Sequence, residues 1–531
     1  MFREKVGEEL DFQEDYLFWR LADFLIINQD YRLVQMASND QELWLENVSN
    51  KQAQLIRIVR RNLDWSNSLQ RDIEIISSVG ERFRKRYLRG ELHLINIYVT
   101  PYPPVDDYQF LIDKPYLNQE SNKTIITTTL LESNQLSNSL KGLSDCLGYQ
   151  IPIALEKEYD EQDISFLKQI AISHSANKLK KEKAIFENGK PFFTYILLVI
   201  QIAVLLVMEL NGGSTNSTTL IKFGAKFNPL IIEGQWWRFL TPIFIHIGFL
   251  HLIMNSIALY YIGPLVERIY GNFRFILIYL FAGFTGVLAS FAFSANLSAG
   301  ASGAIFGCFG ALLYFGLIYP KLFFRTMGMN ILVVIGLNLA FGFSMQGIDN
   351  AGHIGGLIGG FLASGILYFP KGKKPLLQTA FLVISLAAVF GFLQLGYGDS
   401  TKAVDTHSSF VLAQTYVENG DYDQAYTVLK DVQDNGEKSA ELLFLLSYVE
   451  IKKGMENEAK DHLLEVIKID SSFDEAYYNL ALVCINEQQL EKAKEYAQKA
   501  LKLKPEKTEY KELVKKINAY LAQSSGVGES L

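Results

Sequence analysis

The sequence predicts a multi-domain protein in which a polytopic α-helical membrane domain separates an N-terminal α/β domain from a C-terminal all-α solenoid. Three observations lead to this prediction. The chain has 531 residues, which is too many for one hydrophobic core. Apolar residues make up 49% of it and charged residues 20%, as expected for an apolar middle with polar ends. A 34-residue repeat fills the C-terminal part. Disorder and a purely soluble fold are both excluded.

Composition also limits the function. The net charge of −7 argues against a general nucleic-acid-binding protein, so no nucleic-acid partner is expected. The three cysteines are far apart in sequence, which excludes a disulfide scaffold and a clustered-cysteine zinc site. No cofactor is expected. The first residues are charged and contain no apolar run, so we expect no cleavable signal peptide.

Residues 1–180 are predicted to form a soluble α/β domain. Helical spacing covers residues 10–27, and a polar helix covers about 66–89. Short apolar runs predict strands at 31–36, 43–45, 55–59, 92–100 and 124–131. Strands broken by helices predict a mixed sheet with at least one covered face. An acidic segment at 156–163 could attract a divalent cation, although acidic surface loops are common. The ligand and the role of this domain stay open.

Residues 185–397 are predicted to form the membrane domain. Crossing about 30 Å of hydrocarbon takes about 20 residues per helix. Seven apolar stretches come close to that length, at 191–210, 246–264, 273–294, 301–319, 329–346, 351–369 and 376–395. Lys and Arg precede the first stretch and lie between stretches two and three, four and five, and six and seven, although the long loop between stretches one and two also holds Lys222, Lys226 and Arg238. The positive-inside rule therefore predicts a multi-pass cell-membrane protein with a cytoplasmic N-terminus and C-terminal repeats outside.

Residues 406–522 contain the repeat. Ala425, Ala459 and Ala493 are each 34 residues apart, and Pro505 closes the third copy. This period and pattern resemble the tetratricopeptide repeat, a pair of antiparallel helices. Three copies with a C-terminal cap would form a stacked solenoid. Such repeats bind peptides or proteins, so protein partners are expected.

The membrane domain carries the candidate chemistry. Five polar residues lie near the predicted outer ends of stretches two, four and six, namely His246, His251, Asn255, Ser302 and His353. Polar side chains inside a membrane are costly and usually mark function. His251 and Asn255 are four residues apart and share one helix face.

Ser302 and His353 are predicted to form a serine–imidazole pair. Ser302 lies in the glycine-rich run SAGASGAIFG, where a helix N-terminus offers free amides to an oxyanion. His353 would accept the hydroxyl proton and return it to the leaving amine. Close helix packing is predicted from small residues four apart, at Gly303, Gly307 and Ala311 and at Gly352, Gly356 and Gly360. Asp349 could suggest a triad, but a solvated role is more common for an aspartate in a polar loop.

These motifs resemble those of the rhomboid intramembrane serine proteases over residues 185–395. The family motif GxSG matches Gly300–Gly303, and HxxxxHxxxN matches His246, His251 and Asn255. The AHxxG-type motif appears at 351–356 with one glycine inserted before His353. The remaining signatures are Trp237-Arg238 in the first loop and ExxxG at Glu267 and Gly271. The whole arrangement looks like the large rhomboids of Gram-positive bacilli.

The resemblance implies a fold and a set of roles. It implies a six-helix core, to which this chain adds a seventh span, with Ser302 as nucleophile and His353 as general base and acid. The oxyanion hole would contain His251, Asn255 and the Ser302 N–H, with support from His246 and Gly300. Phe306 replaces a common tyrosine and would stack on His353. Trp237, Arg238, Glu267, Gly271, Gly356 and Gly360 would be structural.

The implied reaction is hydrolysis of peptide bonds in or near transmembrane helices of other proteins, at a helix that unwinds easily. Trp236 and Trp237 more simply anchor the first loop in lipid headgroups than contact substrate. An alternative is a membrane adaptor that binds transmembrane helices without cutting them, or in addition to cutting them. A transporter is a distant third, because its polar groups would follow a pathway rather than cluster at one depth.

Overall fold

A computed structural model describes residues 2–526 apart from 88–89, 155–158, 346, 399–405 and 435. The chain forms two compact units. The N-terminal unit contains Met1–Glu187 and Pro320–Thr326, and the C-terminal unit contains Asn188–Tyr319 and Met327–Leu531. The predicted three-domain division stays a prediction, and the boundary placed between 397 and 406 falls largely outside the described residues.

The N-terminal unit is built on a six-stranded mixed sheet with the strand order β1-β2-β3-β4-β6-β5. The strands are β1 (Arg32–Met36), β2 (Glu42–Glu46), β3 (Leu55–Arg60), β4 (Leu92–Thr100), β5 (Tyr116–Leu117) and β6 (Thr124–Glu132). The β3–β4 and β4–β6 pairs are parallel, and the other pairs are antiparallel. The predicted mixed sheet is confirmed.

Helices cover both faces of this sheet. They are α1 (Phe2–Ile27), α2 (Ser66–Tyr87), α3 (Gln109–Ile112), α4 (Leu136–Leu147) and α5 (Glu161–Ile185). Alternate side chains of β3 explain the layering. Ile56 and Ile58 pack with α1, α4 and α5, whereas Leu55 and Val59 belong to the clusters under α2. Parallel strands are normally covered on both faces in this way.

The α2 side of the sheet also holds buried polar networks. The Glu81 carboxylate accepts hydrogen bonds from Arg84, Ser121 and Thr124. These donors, Arg84 first, lower the pKa of Glu81 to about 2. Arg84 is therefore a structural partner of Glu81 within α2.

The C-terminal unit begins with apolar helices joined by short segments. They are α6 (Phe193–Leu210), α7 (Ser217–Phe223), α8 (Asn228–Ile232), α9 (Gly248–Tyr270), α10 (Asn272–Phe293) and α11 (Ser302–Ile318), followed by α13 (Gly328–Ser344), α14 (Asn350–Leu367) and α15 (Pro375–Gly398). The helix α12 (Pro320–Thr326) belongs to the N-terminal unit. Residues 211–247, between α6 and α9, are called the first loop below.

Seven of these helices fall on the seven predicted apolar stretches. Among the described residues, α6, α9, α10 and α15 are long and apolar enough to cross a membrane. The pair α12 and α13 would add a fifth span, although it bends by 73° at its break. The helix α11 is apolar but has only 17 residues. Seven crossings therefore stay a prediction.

Helix hairpins form the C-terminal part. They are α16 (Thr406–Asn419) with α17 (Tyr422–Asp434), α18 (Ala440–Lys452) with α19 (Glu456–Ile469), and α20 (Asp474–Asn486) with α21 (Leu490–Leu503), followed by α22 (Thr508–Gly526). The alanines of the 34-residue period, Ala425, Ala459 and Ala493, are fully buried. A small side chain at these positions lets the two helices of a repeat pack closely.

The first repeat helix packs on the first loop. Val411 and Leu412 of α16 share a buried apolar cluster with Ile221, Phe227 and Leu230. The Tyr416 hydroxyl donates to the Glu233 carboxylate, at 2.9 and 3.0 Å from its two oxygens. The repeats are therefore joined to the apolar helices by side-chain contacts as well as by the chain.

Candidate active site

Ser302 and His353 lie on neighbouring helices, and their side chains meet. Ser302 is the first residue of α11, and His353 lies in the first turn of α14. The Ser302 Oγ and the His353 Nε2 are 2.8 Å apart. A hydroxyl within hydrogen-bond reach of an imidazole is the arrangement required for proton transfer to a base.

Glycines bring the two helices to this distance. A Cβ at Gly356 would lie 2.0 Å from the carbonyl oxygen of Gly303, and a Cβ at Gly360 would lie 2.0 Å from that of Gly307. The helices therefore touch backbone to backbone at the positions that the small-residue spacing predicted. Gly352 differs, because a Cβ there would meet the side chain of Asp349, the residue that caps the start of the same helix.

An aromatic ring covers the imidazole. The rings of Phe306 and His353 are stacked, with centroids 4.4 Å apart and planes 10° from parallel. Phe306 lies one turn after Ser302 on α11 and is buried. Stacking fixes the plane of the imidazole but supplies no hydrogen bond to it.

The Nδ1 atom of His353 is buried and has no hydrogen-bond partner among the described residues. Asp349, the residue that could suggest a triad, is engaged elsewhere. Its carboxylate accepts from the Gly352 N–H at 2.8 Å and from the Ser298 hydroxyl at 2.7 Å. The geometry therefore favours a dyad.

The other polar residues surround the segment that leads to Ser302. A Cβ at Gly300 would lie 2.6 Å from the His251 ring, and the Gly300 φ is +150°, so glycine is required there. His246 is fully buried, and its Nε2 accepts from the Ala301 N–H at 3.4 Å. The rings of His246 and His251 form an edge contact with centroids 5.4 Å apart.

Asn255 has a local partner in this structure. It lies one turn after His251 on α9, and its amide donates to the His251 carbonyl oxygen at 3.0 Å. The side chain is buried. The predicted oxyanion role of Asn255 would require this amide to be available to the substrate, and it stays a prediction.

Two of the predicted structural residues, Arg238 and Glu267, hold backbone segments through hydrogen bonds. The buried Arg238 guanidinium donates to the carbonyls of Ile221 and Ala225, each at 2.9 Å, and so closes the first loop. Trp236 and Trp237 are 66% and 44% exposed, as membrane-anchoring side chains would be.

Glu267 caps the start of α6. Its fully buried carboxylate accepts from the N–H groups of Phe192, Phe193 and Thr194. It also accepts from Asn272. Gly271 follows with a φ of +81° at the tight connection to α10.

Sequence reasoning missed the residues that hold the loop before Ser302. Lys226, in the first loop, is fully buried and donates to the carbonyls of Ser294 and Asn296. Ser298 donates to Asp349. The one sequence feature that could have indicated a buried role was that Lys226 lies among apolar and small residues, in the run GAKFNPLII. The hydrogen-bond partners of Lys226 could not be predicted, because they are about 70 residues away in sequence.

No group of three or more His, Cys, Asp or Glu side chains is placed to hold a metal ion in the part of the chain that the structure describes. Of the acidic segment at 156–163, residues 156–158 lie outside that part. Asp160 and Asp163 form a capping box at the start of α5, which gives them a structural role.

Residues 233–370 match the Rhomboid domain family, and residues 440–473 and 474–507 match a tetratricopeptide repeat family. The chain is 39% identical over 481 residues to a Bacillus subtilis (strain 168) protein named rhomboid protease GluP, covering 88% of this chain and 91% of the relative. It is 33% identical to RHOMBOID-like protein 5 of Arabidopsis thaliana, covering 36% of this chain and 68% of the relative.

Proposed function

The chain belongs to the rhomboid family of intramembrane serine proteases, and we propose that Ser302 and His353 catalyse its peptide-bond hydrolysis. The observation that carries this proposal is the 2.8 Å contact between Ser302 Oγ and His353 Nε2. The stacked Phe306 ring and the absence of a partner at Nδ1, among the described residues, support a dyad without an aspartate.

The reaction proceeds in two halves. In the first, His353 Nε2 takes the proton of Ser302 as Oγ attacks the scissile carbonyl carbon, and it then gives that proton to the leaving amine. In the second, a water attacks the acyl-enzyme with His353 again as base, and Ser302 regains its proton. The Ser302 N–H, at the N-terminus of α11, would stabilise the oxyanion with His251 and Asn255.

The substrates are proposed to be membrane proteins cut in or near a transmembrane helix. A helix keeps its carbonyls in internal hydrogen bonds, so a segment that unwinds easily, with a small residue before the cut, would react best. The distribution of Lys and Arg supports a cytoplasmic N-terminus and external repeats. Protease protection of a C-terminal tag in intact cells would test that orientation.

The test is cleavage of a reporter protein with one alanine- and glycine-containing transmembrane helix by the full chain in liposomes. Ser302→Ala and His353→Ala should each lower kcat by at least about 10⁴-fold, since the pair acts as a unit. Ser385→Ala is the matched control, because this buried hydroxyl donates to the Phe381 carbonyl of its own helix, α15. Persistent cleavage by Ser302→Ala would contradict the proposal.

A second proposed function is binding of protein partners by the repeats, alone or beside cleavage. The observation that favours it is the contact between α16 and the first loop, which holds the repeats next to the membrane helices. If Ser302→Ala still pulls down a reporter that wild type cuts, and removal of α18–α22 abolishes that capture, binding and cleavage are separate activities.

A further inference from the structure

We propose that Ser298 and Asp349 are positioning residues whose hydrogen bond holds the loop that carries Ser302 against the helix that carries His353. This inference rests on the catalytic roles proposed above. Ser298 and Asp349 are not expected to touch substrate. They act through the backbone segments on which Ser302 and His353 lie.

The placement of the bond is the first argument. Ser298 lies four residues before Ser302, and Asp349 lies four residues before His353. The Ser298–Asp349 bond and the Ser302–His353 contact therefore join the same two segments, and each joins residues 51 apart in sequence. The Ser298–Asp349 bond fixes the distance between the two segments on the N-terminal side of the dyad. The contact between Gly303 and Gly356 fixes it on the C-terminal side.

The Asp349 carboxylate is fixed at both oxygens. One oxygen accepts from the Gly352 N–H and so caps the helix that carries His353. The other accepts from the Ser298 hydroxyl at 2.7 Å. A hydrogen bond to a charged carboxylate is stronger than one between neutral groups. The bond therefore couples the start of α14 to the loop before α11.

The segment before Ser302, residues 294–298, also forms hydrogen bonds with the first loop. Lys226 donates through Nζ to the carbonyls of Ser294 and Asn296. Its backbone pairs with Ser298 in both directions, at 2.8 and 3.1 Å. Asn228 donates to the Ser294 carbonyl at 3.0 Å. Ser298 is thus the residue at which the first loop and Asp349 meet.

In a dyad without a third side chain, the position of the imidazole depends on the backbone that carries it. The His353 Nδ1 has no partner among the described residues, so no third side chain is seen orienting the imidazole through that atom. Its position follows from the ring of Phe306 and from the backbone of α14. A displacement of about 1 Å at a reacting pair can cost about 100-fold in rate.

Ser298→Ala tests the inference, because it removes the bond and leaves the Asp349 cap in place. We expect kcat for the reporter to fall about tenfold with KM unchanged, and labelling of Ser302 by a fluorophosphonate to slow by a similar factor. Ser298→Thr keeps a hydroxyl and should recover both rates to within about threefold. Ser344→Ala is the matched control, because among the described residues its hydroxyl donates to the Ala340 carbonyl of its own helix, α13.

A double-mutant cycle keeps the test decisive if Ser298→Ala is less stable than wild type. Asp349→Asn combined with Ser298→Ala should lose no more rate than the worse single variant, because both act on one bond. Additive losses, a loss confined to KM, or Ser298→Ala labelling at the wild-type rate would each overturn the inference. Cleavage by Ser302→Ala would instead overturn the proposed function on which it rests.

Discussion

Alanine at Gly356 should nearly abolish cleavage, because α11 and α14 leave no room between them for one methyl group. A Cβ at Gly356 would lie 2.0 Å from the carbonyl oxygen of Gly303 and 2.6 Å from the carbonyl carbon of Gly303. Ordinary contact begins at 3.4 Å, so the helices must separate by more than about 1 Å at this point. The obstacle is backbone, which cannot rotate aside as a side chain can.

The separation falls where the dyad is most sensitive. Gly303 is adjacent to Ser302, and Gly356 lies one turn beyond His353. Moving the helices apart by that distance would break the 2.8 Å contact between Ser302 and His353. From the cost of a 1 Å misplacement, we expect kcat/KM to fall by at least about 100-fold. Overpacking should also lower the free energy of unfolding by about 1–3 kcal/mol.

The assay compares Gly356→Ala with Gly336→Ala, using reporter cleavage and fluorophosphonate labelling in liposomes. A Cβ at Gly336, on α13, would meet nothing within 4 Å. That control should cleave within about twofold of wild type, as exposed substitutions usually do. The packing argument is refuted if Gly356→Ala keeps a third or more of the wild-type rate, or if the two variants lose activity equally.

Three further predictions concern other contacts. Phe306→Leu should slow fluorophosphonate labelling by up to about tenfold because it removes the ring stacked on His353, whereas Phe306→Tyr should not; equal rates for the two variants would argue against stacking. Glu267→Gln should lower the free energy of unfolding by about 1–3 kcal/mol, measured by thermal unfolding, because one amide oxygen cannot replace a carboxylate that accepts several N–H groups. The Arg84 donor lowers the pKa of Glu81 in the folded protein to about 2. Ionised Glu81 therefore stabilises the fold fully above the pKa that Glu81 has in the unfolded chain, and this stabilisation is lost as pH falls towards 2. The difference in urea midpoint between wild type and Glu81→Gln, measured by pulse proteolysis, should therefore shrink from pH 6 to pH 2; a constant difference would contradict the pKa assignment.

The residues of the candidate dyad could be predicted because they lie in short local patterns. A serine among glycines at a helix start, and small residues four apart on two helices, are visible in sequence without knowledge of the fold. The backbone contacts at Gly356 and Gly360 agree with that spacing. Most of the sheet was predictable for a similar reason, because β3 and β4 are short runs rich in Leu, Ile and Val, whereas the two-residue strand β5 was not predicted.

What sequence reasoning missed depends on partners far away in the chain. Ser298 meets Asp349 only because α11 and α14 are adjacent. Asp349 could suggest a triad member, but nothing in its own segment points to Ser298 as its partner. Lys226 looked like an ordinary loop charge, yet it is buried. The helices α4 and α5 of the N-terminal unit were also not predicted, although the capping box of Asp160 and Asp163 is a recognisable helix start.

The docking of α16 on the first loop determines how a molecule held by the repeats meets the protease. On a flexible tether, the local concentration of that molecule at the active site would fall as the tether lengthened. The Tyr416–Glu233 contact and the apolar cluster around Val411 fix the first repeat instead. If the repeats bind protein partners as proposed, a captured protein would be delivered within a narrow range of distances, and the spacing between its docking segment and its cleavable helix would become a criterion for selection.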